Sequence, residues 1–289
     1  MHKCSICPRR CGVDRESHAG FCGVADKIRL AKAAPHFYEE PPVSGTAGSG
    51  CIFFSGCVLK CVFCQNYSIS RECSGREITE EELCEIILGL QSKGVHNINL
   101  VTPTQFAEKI AAVLKTVRPK LRIPVIYNCG GYESKEVLNL LDGLIDVYLP
   151  DLKYFSPDLS LKYSACKDYF AVAIEAIKIM TEQVGAPVIK DGLIKRGVIV
   201  RHMILPSCRK DSERLLYELH SSVGTENILL SLMHQYTPDF LKGDFPELSR
   251  KVTTFEYNSV LKVAKKLGFN GFSQDRASAD TVYTPDFNG

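Results

Sequence analysis

The chain has 289 residues, thirteen of them cysteine, and its 35 Lys and Arg against 33 Asp and Glu leave a formal charge of +2. That balance argues against an extended nucleic-acid groove or a polybasic membrane anchor, both of which need excess positive charge. No apolar run long enough to span a bilayer is present. The opening Met1-His2-Lys3-Cys4 lacks the apolar run of a secretory signal, so a cytoplasmic chain is expected. An odd number of cysteines there points to metal, cluster or redox chemistry rather than a disulfide framework.

Residues 1–45 read as a cysteine-rich segment followed by a Pro/Gly/Ser-rich linker, which runs on to Gly50; residues 46–289 read as the main domain. In chain order, strands are predicted over 51–55, 97–101, 125–128, 146–150, 198–205 and 228–233. The clearest helix covers 80–93: Thr79 and Glu82 form a capping box, Leu83, Ile86, Ile87 and Leu90 make one apolar face, and Gly94 ends it. Further helices are predicted over 106–117, 135–141, 161–184, 212–222 and 256–267. Strand–helix alternation with right-handed crossovers gives a parallel sheet. Each predicted strand runs into a polar or reactive cluster, from Ser55-Gly56-Cys57 at the first to His234-Gln235-Tyr236 at the sixth. Six contributing strand ends favour an α/β fold of the partial (βα)6 barrel type, because barrel active sites collect where the βα loops converge.

Cys57-Val-Leu-Lys-Cys61-Val-Phe-Cys64 is the strongest motif. It wraps three thiolates onto one centre directly after a strand. Three protein ligands on a four-iron cluster leave one iron open, as a catalytic metal requires. Gly56-Cys57-x3-Cys61-x2-Cys64-Gln65-Asn66, with Phe63 before the last cysteine, resembles the cluster loop of the radical S-adenosylmethionine (radical SAM) superfamily, and in flavour the pyruvate formate-lyase activating enzymes. Tyr127-Asn128 through Tyr132, Pro150-Asp151-Leu152-Lys153 and Arg201 through Pro206 add to the resemblance.

The resemblance implies a 4Fe–4S cluster on Cys57, Cys61 and Cys64, SAM chelating the open iron, and reductive cleavage to a 5′-deoxyadenosyl radical that abstracts hydrogen. Carried over by position, Asn128, Lys153 and Arg201 are expected to bind SAM, and one of His234, Gln235 and Tyr236 to approach its ribose. A zwitterionic, polyhydroxylated cofactor needs such donors and acceptors. For each of these residues the plain alternative is a strand-end residue capping a neighbouring helix. Asp151 is expected to pair with Lys153 or hold a cation. The sequence departs from the family twice. The Gly-Gly-Glu after the second strand is absent, leaving Thr102 and Thr104 to offer hydroxyls or carbonyls, though Thr104 also suits a helix cap. Asn128 stands where many activating enzymes have Asp.

Cys4-x2-Cys7-x3-Cys11-x10-Cys22 forms a second set, with Pro8, Gly12, Gly20 and Gly23 supplying turns. Four thiolates suit a closed site, and zinc and a second iron–sulfur cluster both match the spacing. Cys51 and Cys84 are expected to be core residues, and Cys129 and Cys208 to pack at the active face. The expected partners are an external one-electron donor of flavodoxin or ferredoxin type and a substrate, a glycyl-radical protein being one candidate. Alternatives are a radical SAM enzyme acting on a small molecule or peptide, and a non-catalytic electron-transfer or zinc-stabilised interaction protein.

Overall fold

The structure, a computed structural model, describes residues 3–274 and Phe287. Its sheet is built around six parallel strands: β2 (Ser49–Phe54), β4 (Ile98–Val101), β5 (Val125–Cys129), β6 (Val147–Pro150), β8 (Leu193–Met203) and β9 (Ile228–Met233). They are neighbours in that order. β10 (Gly271–Ser273) adds a short parallel strand beside β9. At the other end β1 (Ile28–His36) runs antiparallel to β2, and β3 (Arg76–Ile78) runs antiparallel to β1. Among the described residues the two ends of this sheet do not pair, so the barrel is partial, as expected. β4, β5 and β6 are buried at every position, which fits strands covered on both faces.

The covering helices are α3 (Glu80–Ser92), α4 (Ala107–Val117), α5 (Lys135–Leu141), α6 (Pro157–Ser164), α7 (Tyr169–Val184), α8 (Arg209–Val223) and α9 (Thr254–Lys266). One-turn helices α1 (Pro41–Ser44) and α2 (Tyr67–Ser70) flank β2. The capping box of α3 forms as read: Thr79 Oγ1 accepts the Glu82 N–H, and Glu82 accepts the Thr79 N–H. Among the described residues no helix is long and apolar enough to cross a membrane.

Three expectations change. The single helix over 161–184 is two, α6 and α7. Ser156 caps α6 and Pro157 opens it, while Ala165 turns left-handed at φ +51° and its N–H closes onto the Leu161 and Ser160 carbonyls. The apolar rhythm runs through the break without a glycine to mark it. β8 starts five residues before the predicted 198, because Asp191 and Gly192 (φ +53° and +75°) turn β7 (Val188–Lys190) back against it. Third, residues 28–36, read as segment and linker, are a sheet strand paired with β2 from Leu30↔Phe54 to His36↔Ser49.

The N-terminal segment lies on the barrel. Arg15, 7% exposed, donates to the Gln105 and Ala25 carbonyls at 2.5 Å each. Ser134 Oγ donates to the Ile6 carbonyl at 2.7 Å, and Arg9 Nε to the Val58 carbonyl at 2.9 Å. Cys51 is fully buried in β2, as expected, and Cys84 is half-buried on α3.

Glu133, between β5 and α5, is 3% exposed and accepts from Thr104 Oγ1 at 2.7 Å and Tyr127 Oη at 3.1 Å. Burial outweighs these donors and pushes its carboxyl up to about 7. Such a group holds its proton more tightly folded than unfolded. Its contribution to stability is complete below the unfolded value and is lost as pH rises through 7. Glu133→Gln should remove a fall in unfolding free energy of about 3 kcal/mol between acid and neutral pH. Denaturant titration of both chains at pH 5 and pH 8 checks this; an undiminished fall in the variant would assign it to other groups.

Candidate active site

The loop after β2 turns at Gly56 (φ +82°), where a Cβ would lie 2.8 Å from the Cys22 carbonyl. Beyond it Cys57, Cys61 and Cys64 line one cavity of about 230 Å³ at the C-terminal ends of the strands. Each sulfur has a polar neighbour: the Leu59 N–H at 3.4 Å from Cys57, Ser164 Oγ at 3.0 Å from Cys61 and Ser70 Oγ at 3.2 Å from Cys64. Burial raises the Cys57 and Cys64 thiols, and the neighbouring cysteines raise them further. Coordination to iron removes such protons outright. Among the described residues no group of three or more His, Cys, Asp or Glu is arranged to hold a single metal ion. A 4Fe–4S cluster seats each thiolate on its own iron, and three soft donors with hydrogen bonds to sulfur on one cavity wall fit that group.

Lining the same cavity is a partly buried charge network carried largely by strand ends. Asp151, after β6, takes Lys153 Nζ at 2.5 Å and Arg201 Nε, from β8, at 3.0 Å. Arg201 Nη2 donates to Asn128 Oδ1 at 2.6 Å, and Nη1 lies 3.4 Å from Glu39 Oε2. Burial would raise the Asp151 carboxyl, but Lys153 and Arg201 together hold it below the usual range. Burial likewise opposes the charge on Lys153 and on Arg201, and in both Asp151 wins. The backbone permits this convergence because residue 131 is glycine: at φ +78°, a Cβ there would sit 2.1 Å from the Asp151 carbonyl oxygen.

Of the residues expected to meet SAM, Asn128, Lys153, Arg201, Thr102 and Gln235 all line the cavity. Thr102 sits left-handed at φ +56°, its N–H on the Asn128 carbonyl at 2.8 Å and its own carbonyl accepting from Gln105 at 2.8 Å. Thr104 does not reach the cavity: its hydroxyl is spent on Glu133. Of the three residues after β9, only Gln235 faces inward. His234 stacks on Tyr257 with ring centroids 4.2 Å apart, and Tyr236, 1% exposed, donates to the Leu248 carbonyl at 2.7 Å. Cys129 lines the cavity, buried, and Cys208 is buried away from it.

The four N-terminal cysteines stay close to one another without closing round one ion. The Cys11 and Cys22 sulfurs each lie 3.4 Å from where a Cβ of Gly20 would stand, and Cys7 and Cys22 are buried in the main core. Cys22 also touches the cluster loop, its carbonyl accepting the Cys57 N–H at 3.1 Å.

Glu39 is the cavity residue that the sequence reading missed. It follows β1, where the chain was read as linker, and its Oε1 lies 3.2 Å from Asn99 Nδ2 and 3.4 Å from Asn128 Nδ2. Burial raises its carboxyl while Arg201 pulls the other way. The signal available was a pair of acids, Glu39-Glu40, directly before Pro41-Pro42 in an otherwise uncharged stretch.

A parallel partial barrel with a three-thiol loop at the ends of its strands defines a class. The family model described as the Radical SAM superfamily matches residues 51–194, and this chain belongs to that superfamily, whose members are enzymes using a 4Fe–4S cluster and SAM. It is 30% identical over 273 residues to the uncharacterized protein MJ0674 of Methanocaldococcus jannaschii, covering 91% of this chain and 74% of that one. Among solved structures it is similar in fold to a radical SAM methyltransferase from Sphaerobacter thermophilus (TM-score 0.53, 13% identity, 78% of this chain and 65% of that one). It is also similar to SuiB of Streptococcus suis bound to S-adenosylmethionine (TM-score 0.50, 13% identity, 76% of this chain), about half of whose length, 48%, the chain spans.

Proposed function

We propose that this chain cleaves SAM reductively and uses the product to take hydrogen from a carbon of a substrate, in the manner of an activating enzyme. The observation that carries the reading is that one cavity is lined both by Cys57, Cys61 and Cys64 and by Asn128, Lys153, Arg201 and Gln235. When bound, the cluster supplies the electron that splits SAM into methionine and a 5′-deoxyadenosyl radical. The protein's part is to bind, orient and exclude water. Lys153 and Arg201 present cations that can receive a carboxylate beside the thiols, and Asn128 and Gln235 offer amide donors and acceptors to hydroxyls. Phe53, Leu59 and Phe63 keep the remaining wall apolar.

An activating role is supported by Phe37, 55% exposed and next in the chain to a residue of the cavity lining: apolar surface that a polypeptide segment could cover. The test is anaerobic reaction with SAM, dithionite and a peptide deuterated at a glycine α-carbon. Deuterium in the recovered 5′-deoxyadenosine supports peptide activation. Unlabelled product turns the reading to another substrate, and no product at all removes the radical reading.

Lys153→Ala is expected to weaken SAM binding by one to two powers of ten, the loss of one charge-assisted contact of about 1.5–3 kcal/mol. Asp151 keeps Arg201 in that variant, so cluster content should hold. Equilibrium dialysis with labelled SAM and iron analysis check both. Unchanged affinity with early unfolding would make Lys153 a structural partner of Asp151.

The N-terminal cysteines are proposed to hold a second metal centre, with Gly20 leaving room between Cys11 and Cys22. Metal analysis of a chain lacking Cys57, Cys61 and Cys64 decides: retained iron makes it a cluster, retained zinc a structural site, and neither ends the idea.

A further inference from the structure

The cluster loop has two faces. Cys57, Leu59, Cys61 and Phe63 line the cavity, and the alternate residues Val58, Lys60 and Val62 do not. Around the face turned from the cavity stand four cations on two aromatic rings. Arg9 and Lys60 lie over Phe21, with Cζ 4.2 Å and Nζ 5.0 Å from its centroid. Arg71 and Lys242 lie over Tyr67 at 5.9 and 5.1 Å.

All four are tied to the loop or to the helix that follows it. Arg9 donates to the Val58 carbonyl at 2.9 Å, and Lys60 is in the loop itself. The Lys242 N–H donates to the Val62 carbonyl at 2.7 Å, and the Arg71 N–H to the Tyr67 carbonyl at 2.9 Å at the end of α2. Among the described residues none of the four forms an ion pair with a carboxylate, whereas Lys153 and Arg201 on the cavity side are both paired. In a chain of net charge +2, this gathers four cations on the cluster loop and the helix that follows it.

Reductive cleavage takes one electron, which neither SAM nor a side chain of this protein supplies. With SAM and substrate bound in the cavity as proposed above, the open route for the electron is the other face. We propose that Arg9, Lys60, Arg71 and Lys242, framing Phe21 and Tyr67, form the docking surface for an acidic one-electron carrier protein, which is oxidised by one electron as the cluster beneath the loop is reduced. Opposite charge steers such a carrier to the outer face of the loop that carries the three cysteines, and the aromatic rings give it an apolar contact once there. The proposal rests on the radical SAM chemistry above.

The reconstituted full chain is given SAM and either dithionite, which needs no docking, or a flavodoxin kept reduced by its NADPH-dependent reductase, and 5′-deoxyadenosine is measured. Arg71→Glu with Lys242→Glu should weaken binding of oxidised flavodoxin, read by calorimetry, at least ~10-fold at low salt and lower the flavodoxin-driven rate in step, while the dithionite-driven rate stays within about twofold. Arg71→Lys with Lys242→Arg should keep both rates. Equal losses in the two arms would mean that the charges act on the cluster or the fold, and an undiminished flavodoxin rate would mean that the carrier docks elsewhere; either overturns the proposal. If the unaltered chain gives no product even with dithionite, the radical chemistry itself fails and the docking surface with it.

Discussion

Anaerobically reconstituted Cys61→Ala protein should release no 5′-deoxyadenosine from SAM under a strong reductant, where the unaltered chain releases it even without substrate. Cys61 is the middle cysteine of the three proposed to hold the cluster, 9% exposed, with its sulfur accepting from Ser164 at 3.0 Å. Cys57, Cys61 and Cys64 together would hold a cluster with one iron left open for SAM, and Cys57 and Cys64 alone would hold it far less firmly. Iron content should fall in step with activity. Cys84→Ala on α3 should lose neither, since that cysteine lies outside the cavity. Undiminished product from Cys61→Ala would remove the ligand assignment.

Arg201→Ala should be the most damaging change among the cavity's charged residues. Arg201 neutralises Asp151 and Glu39 and fixes Asn128. Its removal leaves Asp151 with Lys153 alone and Glu39 with only amide and thiol neighbours. Breaking a fully buried pair from one side costs about 3–5 kcal/mol, because the other charge stays in a poor solvent for it; these side chains keep 11–21% exposure, so a loss at the lower end of that range is expected. The sign of the pH dependence follows from Glu39. Its carboxyl is already raised by burial with Arg201 pulling down, and without Arg201 it rises further. The variant's deficit should therefore be smallest in acid, where Glu39 is protonated, and should grow as pH increases. Adding Glu39→Gln should recover part of the loss at neutral pH. Unfolding curves at pH 5 and 8 for the single and double variants test this, and a deficit independent of pH would take Glu39 out of the account.

What the sequence made legible was whatever local chemistry dictates. The cysteine loop announces itself through spacing, and Asn128, Lys153 and Arg201 through their places at the ends of apolar strands, where βα loops must converge. Residues with the same local signature but different tertiary assignments were not separable. His234, Gln235 and Tyr236 follow one strand in an irregular segment, and only packing on Tyr257 and Leu248 turns two of them away. Thr104 offered a hydroxyl to the cavity on paper, but Glu133 claims it. Glu39 was hidden for a different reason: β1 is alanine-rich and carries Pro35, so its strand character comes from pairing with β2 and β3 rather than from its own residues. The break between α6 and α7 escaped notice because an alanine, not a glycine, takes the left-handed position.

The close approach at Gly131 ties two loops into one mechanical part. With only a hydrogen where a methyl would stand 2.1 Å from the Asp151 carbonyl oxygen, there is no clearance for the turn after β5 to shift independently of the turn after β6. Asp151 anchors both Lys153 and Arg201. A side chain at 131 would thus be transmitted as a displacement of two cations across the cavity. The tolerance of this site is set by an atom that is not there.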